Sequence, residues 1–164
     1  DEIPLFSLIP QIADAVKIPV IAAGGIADAR GVAAAFALGA EGVQLGTRFV
    51  AVEECIAAQA YKDAIVEAGD TDTAITNRAL IPTRSLKTTA FSQALLALQE
   101  GGATAEEISD FMGHAPSRRG GLEGDLDNGE AYCSSSGGLI KEVLDTNEAI
   151  QQLVKGYAEV IKSL

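Results

Sequence analysis

The 164-residue sequence has no tryptophan, one histidine, one methionine and two cysteines, and only 5% of it is aromatic. A single imidazole, His114, excludes a metal site built from several histidines. Cys55 and Cys133 stand far apart and outside any C-x-x-C spacing, which argues against a disulfide-stapled secreted scaffold and fits a reducing, cytoplasmic setting. Positive charge is also scarce. Twelve Lys+Arg face 23 Asp+Glu, a formal net charge of −11, so a nucleic-acid backbone or an anionic membrane surface is repelled on average and neither is the expected partner. No apolar run approaches the roughly 20 residues of a bilayer span, and the acidic start, Asp1-Glu2, lacks the basic region of a signal peptide.

What the sequence does have is 48% hydrophobic and 21% charged residues, the balance of a soluble globular domain, with too much apolar character for disorder. Leu5, Leu8, Ile9, Ile12 and Val16 recur at helical spacing, predicting an amphipathic helix over residues 5–16 with Ser7 as N-cap and Pro10 in its first turn. Residues 18–23 and 41–45 are short apolar runs ended by glycine, the pattern of parallel strands buried on both faces. Between them, Asp28 can cap a helix over 29–38 that stops at Gly39. A further helix is expected over 54–68. Helix, strand, helix, strand, helix with short loops is the grammar of successive βαβ units, and so of an α/β fold.

The strand signal disappears after Gly69. Residues 70–85 read as polar and irregular, 86–99 as helical, and 104–112 as a short helix with Thr104 and Glu107 in capping-box spacing. Residues 115–128 are rich in Gly and Arg. This leads to a division into βα units of an α/β sheet or barrel over 1–69, a helical cap over 70–130, and a return segment with a C-terminal helix over 131–164. In that last helix Asp145 and Glu148 mark the start, and Ile150, Leu153, Val154, Tyr157 and Ile161 form one stripe.

Chemistry is suggested where both strands end: Ala23-Gly24-Gly25-Ile26 and Gln44-Leu45-Gly46-Thr47-Arg48. In parallel α/β folds this edge binds ligands. Glycines let backbone N–H groups converge on an anion, and the Thr47 hydroxyl adds a donor. Neither G-x-G-x-x-G nor a P-loop is present, which favours a flavin mononucleotide or a small sugar phosphate over a nucleoside triphosphate.

The run Ile18-Pro-Val-Ile-Ala-Ala-Gly-Gly-Ile-Ala-Asp-Ala-Arg-Gly31, followed by Ala35-Phe-Ala-Leu-Gly-Ala-Glu-Gly-Val-Gln-Leu-Gly-Thr-Arg-Phe49, resembles the FMN-binding half of the nitronate monooxygenase family. That family also contains FMN-dependent NADH:quinone reductases and flavin-type enoyl-ACP reductases. Looser likeness continues through Thr71-Asp72, Arg84-Ser85-Leu86-Lys87, Gly101-Gly102 and Gly124-Asp125 to Gly138-Leu139-Ile140. The resemblance implies the C-terminal part of an FMN-binding (β/α)8 TIM barrel with an inserted helical cap. It implies FMN held by Gly24, Gly25, Gln44, Leu45, Gly46 and Thr47, largely through backbone N–H groups, with NAD(P)H as a possible electron donor. The activity it implies is oxidation of alkyl nitronates with O2 to a carbonyl compound and nitrite. The alternatives are reduction of a quinone or enoyl thioester, or, for this chain alone, an inactive or purely structural half-barrel. A phosphate-binding barrel enzyme without flavin is a further reading.

The family's catalytic histidine is expected upstream of Asp1, so the resemblance carries no catalytic residue onto this chain. Two strands cannot close an eight-stranded barrel, typically ~250 residues long. The expected partners are therefore a small-molecule substrate and either an N-terminal half-barrel or a second copy of the chain, and an apolar face is expected to lie open. His114 reads as an exposed loop residue and Cys133 as a small buried one. Arg118 and Arg119 read as solvated, with a substrate phosphate or dinucleotide as the alternative. Arg84 and Lys87 fit a solvated face or an anion contact, and Ser134, Ser135 and Ser136 fall on a segment that approaches the flavin in the family.

Overall fold

The computed structural model describes residues 3–163, so the Asp1-Glu2 start and Leu164, the last residue of the 131–164 segment, lie outside it. Helix α1 (Leu5–Ala15) leads into strand β1 (Ile21–Ala23), helix α2 (Ala29–Ala37), strand β2 (Gly42–Gln44) and a short helix α3 (Thr47–Val50). The two strands pair in parallel with Ile21 opposite Gly42 and Ala23 opposite Gln44, so both chains leave the sheet at the same edge. Asp28 caps α2 as its position predicts, accepting from Arg30 N and Gly31 N at 3.0 Å each.

The first helix differs from expectation. Its N-cap is Pro4, whose carbonyl accepts from Ser7 N and Leu8 N at 2.9 and 3.0 Å, so Ser7 and Pro10 lie inside the helix. Pro10 removes one rung opposite the carbonyl of Phe6, which is exposed and open to water. The strands are also shorter than the apolar runs that form them. Only Ala22 of β1 is buried, while Ile18 and Ile21 are 70% and 56% exposed. Expected burial on both faces is absent because this chain covers only one side. On that side Ile9, Ala22, Ile26, Val32, Ala35 and Ala40 pack together.

Helix α4 (Gln59–Glu67) begins five residues later than the apolar pattern suggests. Residues 52–53 are held instead by the return segment: Val52 bridges Leu144, and Glu53 N donates to Leu144 O at 2.8 Å. The larger departure follows. Residues 70–85 contain an antiparallel hairpin, β3 (Thr73–Thr76) and β4 (Thr83–Leu86), where no strand was expected. The return segment lies beside β4, with Leu86 N donating to Ala131 O (2.9 Å) and Cys133 N to Arg84 O (3.0 Å).

Side-chain chemistry explains why this hairpin lacks an apolar alternation. Its covered face is polar, and Glu130, 1% exposed, satisfies it: Thr76, Thr83 and Ser85 hydroxyls donate to Glu130 Oε1 at 3.0, 2.8 and 3.0 Å. A buried carboxylate thus does the work that an apolar stripe does in an ordinary hairpin.

Helix α5 (Ala90–Glu100) starts after β4, capped by Thr89, and packs through Phe91 and Leu95 on Ile108 and Met112 of α6 (Ala105–Met112). The Thr104–Glu107 capping box is formed. Beyond α6 come a helical turn α7 (Pro116–Arg118), a wider turn (Arg119–Glu123) and a 3-10 turn (Gly137–Leu139). The last helix, α8 (Thr146–Ser163), begins where Glu148 N donates to Asp145 Oδ1 (3.1 Å). Its stripe partly covers α2: Tyr157 meets Phe36 edge-on at 5.4 Å, and Leu153 joins the same cluster. Ile150, Val154 and Ile161 remain exposed. Among the described residues no helix is long and apolar enough to cross a membrane.

Candidate functional site

The parallel register sets the two glycine turns side by side. Beyond Ala23 and Gln44 they form a cleft of about 250 Å³ lined by Ala23, Gly24, Gly25, Ile26, Gln44, Gly46, Thr47 and Ser134. Five of the six residues expected to hold the cofactor line it. The exception is Leu45: the alternation of a strand turns its side chain the other way, into the apolar groove beside Val43, Phe36 and Tyr157, so only its backbone is available to the turn.

The third wall comes from far along the chain. Ser134 N donates to Thr47 Oγ1 at 3.0 Å, and Ser134 Oγ pairs with Ser136 Oγ at 2.7 Å. An accepting hydroxyl keeps its own hydrogen to donate, so this contact orients Thr47 without consuming its donor. Ser135 is also close, its Oγ lying 3.7 Å from where a Cβ on Gly25 would stand. Ser134 thus enters the cleft as its small-residue run suggests, while Ala23 and Ile26 are lining residues that their apolar character concealed.

The two central glycines have different reasons. Gly24 has φ +101°, a conformation that side chains rarely adopt. Gly46 has φ −87° and ψ −72°, open to any residue, and a Cβ there would meet no atom within 4 Å. Neither φ nor packing among the described residues requires glycine at 46, although glycine suits the N-cap of α3 that it occupies. A Cβ would project into open space at the cleft, which is the requirement of a cradle that a ligand group fills closely. The cleft has no acidic lining residue to repel an anion, and its donors are backbone N–H groups and hydroxyls. The residues present therefore fit a phosphate.

The remaining polar residues have structural partners. Arg119 binds three carbonyl oxygens, of Met112 (2.8 Å), His114 (2.6 Å) and Asn128 (2.8 Å), so it ties the cap loop together and is not free for a substrate phosphate. Arg118 pairs with Glu123 at 3.0 Å, both well exposed. Arg84 donates to Thr73 Oγ1 (3.2 Å), and Lys87 is half-buried, its backbone N bound to Asp72 O (2.9 Å). His114 is exposed in the cap loop. Cys133 is 1% exposed, and burial pushes its thiol up to about 11, the behaviour of a packed residue and not of a nucleophile. Tyr61 donates its hydroxyl to Tyr132 O, fastening α4 to the return segment. Burial, together with the charge of Glu130, raises the Tyr132 phenol.

Comparison with known proteins shows the family and the fold. The sequence model described as nitronate monooxygenase matches residues 1–156. A probable nitronate monooxygenase of Staphylococcus saprophyticus is 55% identical over 71 residues, 43% of this chain and 20% of the relative. The structure of FabK from Thermotoga maritima superposes with a TM-score of 0.91 at 39% identity, covering 99% of this chain and 51% of FabK. A nitroalkane oxidase from Streptomyces ansochromogenes superposes with a TM-score of 0.75 at 28% identity, covering 98% of this chain and 45% of the oxidase. The chain thus spans about half the length of these solved structures and a smaller share of the staphylococcal relative.

Proposed function

The chain belongs to the nitronate monooxygenase family, and from that premise we propose that it carries the phosphate anchor of an FMN-dependent oxidoreductase that oxidises alkyl nitronates with O2 to a carbonyl compound and nitrite. The observation that carries the reading is the cleft where the two glycine turns meet, in which Gly46 leaves open the space a side chain would take and Thr47 presents its hydroxyl. The backbone of Gly24–Gly25 and of residues 44–47 holds the phosphate, Thr47 donates its hydroxyl, and Ser134 fixes Thr47 from the opposite wall. When bound, the flavin supplies the electron transfer between substrate and oxygen. The residues of this chain fix where the flavin sits by its phosphate end.

In this reading β1 and β2 are two parallel strands of a (β/α)8 barrel, residues 1–69 are its βα units and 70–130 its cap. The exposed Ile18, Ile21 and Phe6 beside β1 are the seat of the remaining strands, contributed by an N-terminal half-barrel or by a second copy. Visible flavin absorbance of the intact purified protein, with and without added FMN, tests the anchor. A colourless protein that takes up no FMN overturns it and leaves a structural half-barrel. Anaerobic mixing with propyl nitronate and, separately, with NADH tests the reaction. Bleaching by the nitronate supports the proposal, bleaching by NADH alone assigns the NAD(P)H-dependent reductase branch, and bleaching by neither removes both.

A further inference from the structure

The phosphate cleft presents a charge problem. A phosphate monoester carries about −1.5 to −2 at neutral pH, this chain is already at −11, and no lining residue of the cleft is basic. Backbone dipoles stabilise an anion without neutralising it.

A cation lies in a neighbouring cavity built from the same two turns. A second, smaller cavity of about 180 Å³ is walled by Ala27, Asp28, Ala29 and Arg48 together with residues of the return segment and α8. Ala27 continues directly from Ile26, and Arg48 follows Thr47, so the two cavities are lined by successive residues of one pair of turns. Arg48 is 7% exposed. Its Nη2 donates to the carbonyl oxygens of Ala51 and Glu142, the latter at 2.9 Å, and its Nε is buried with no hydrogen-bond partner. Among the described residues no carboxylate forms an ion pair with it, and Glu142 acts on it only at longer range. Asp28, the other charge in this cavity, is engaged by Arg30. Burial draws the Arg48 guanidinium below its ordinary pKa, yet arginine remains charged under all ordinary conditions. A buried cation held by carbonyls alone costs free energy that an anion nearby offsets.

We propose that Arg48 is a positioning residue for the flavin phosphate, balancing its charge from the neighbouring cavity without touching it. The inference rests on the reading of the first cleft as a phosphate site. It explains how a cradle without a basic lining residue, in a strongly acidic chain, selects a doubly charged group. At an effective dielectric of ~20, and taking a separation on the order of 8 Å, Arg48 alters the binding constant by on the order of 30-fold for each unit of charge on the phosphate.

The test compares FMN with riboflavin, which lacks the phosphate, by flavin fluorescence titration of the intact apoprotein carrying Arg48→Met or Arg48→Lys, with melting of each apoprotein in parallel. Arg48→Met is expected to weaken FMN by at least about 30-fold and leave riboflavin within about 3-fold, while Arg48→Lys restores most of the loss. Phosphorus NMR of bound FMN is expected to show the second phosphate ionisation moved to higher pH in Arg48→Met, a shift that simple loosening of the turn does not produce. Where Arg48→Met does not fold, Arg48→Gln, which keeps an amide donor for the carbonyls, carries the same comparison. Equal weakening of FMN and riboflavin, or FMN affinity within about 3-fold of wild type, overturns the role of Arg48 while the cleft reading stands. A wild-type protein that binds FMN no better than riboflavin overturns the cleft reading itself, and the proposal with it.

Discussion

Replacing Gly46 by alanine separates ligand demand from structural demand. The added methyl meets no protein atom within 4 Å, and the backbone at φ −87°, ψ −72° accepts it. Reduced freedom of the unfolded chain favours alanine by about 0.4–1 kcal/mol, while glycine is the better N-cap for α3 by an amount of about the same size. The two nearly cancel, so the melting temperature is expected to stay within about 4 °C of wild type. The phosphate responds differently, because the methyl takes the space its oxygens need. A hydrogen bond to a charged group contributes about 1.5–3 kcal/mol, so losing one backbone contact weakens FMN about 10- to 150-fold. Titration of the apoprotein with FMN and with riboflavin, alongside thermal melting by circular dichroism, reads both quantities. Unchanged FMN affinity refutes the reasoning, and so does a large fall in melting temperature with both flavins lost equally, since glycine would then be a structural requirement.

Four further outcomes are expected. Cys133 resists alkylation in the native state while the half-buried Cys55 reacts; because burial raises the Cys133 thiol from about 9 to about 11, the folded state binds the extra proton in that window and stability falls as pH rises through it, measurable by denaturant titration at pH 8 and about pH 11. Glu130→Ala deprives three hydroxyls of their acceptor. They can re-pair, since Thr76 lies 3.1 Å from Thr83 Oγ1 and 3.2 Å from Ser85 Oγ, so the cost is about 2–3 kcal/mol by chemical denaturation and not the full sum of three bonds. Thr104→Ala breaks the capping box of α6 and costs about 1 kcal/mol in the same assay. His114→Ala leaves flavin affinity and turnover unchanged; a tenfold loss of turnover would contradict its assignment to an exposed loop.

The cradle was legible because its determinants are local. Strand, glycine turn and capped helix follow one another within residues 18–47, and the parallel register needs only those segments. The hairpin at 73–86 was not, because its buried face is threonine and serine satisfied by a glutamate 45 to 54 residues further on, a pairing that no local window contains. Arg48 drew no reading of its own from the sequence, because its carbonyl partner Glu142 lies 94 residues away and only the fold shows it buried in the second cavity. Shorter strands and an exposed Ile21 were not legible because apolar periodicity marks which residues can be buried and not where the strand pairing stops.

The hydrogen bond from Ser134 to Thr47 joins residues 87 positions apart. During synthesis at about 5–20 residues per second, both glycine turns leave the ribosome roughly 4–17 s before the serine that completes their third wall. A nascent chain therefore has the sequence of an anion cradle well before it has the cradle. The wall that Ser134 supplies, and the orientation it gives the Thr47 hydroxyl, therefore wait for residues that follow the hairpin, α5 and α6, so the cleft closes late in synthesis and not with the strands that begin it.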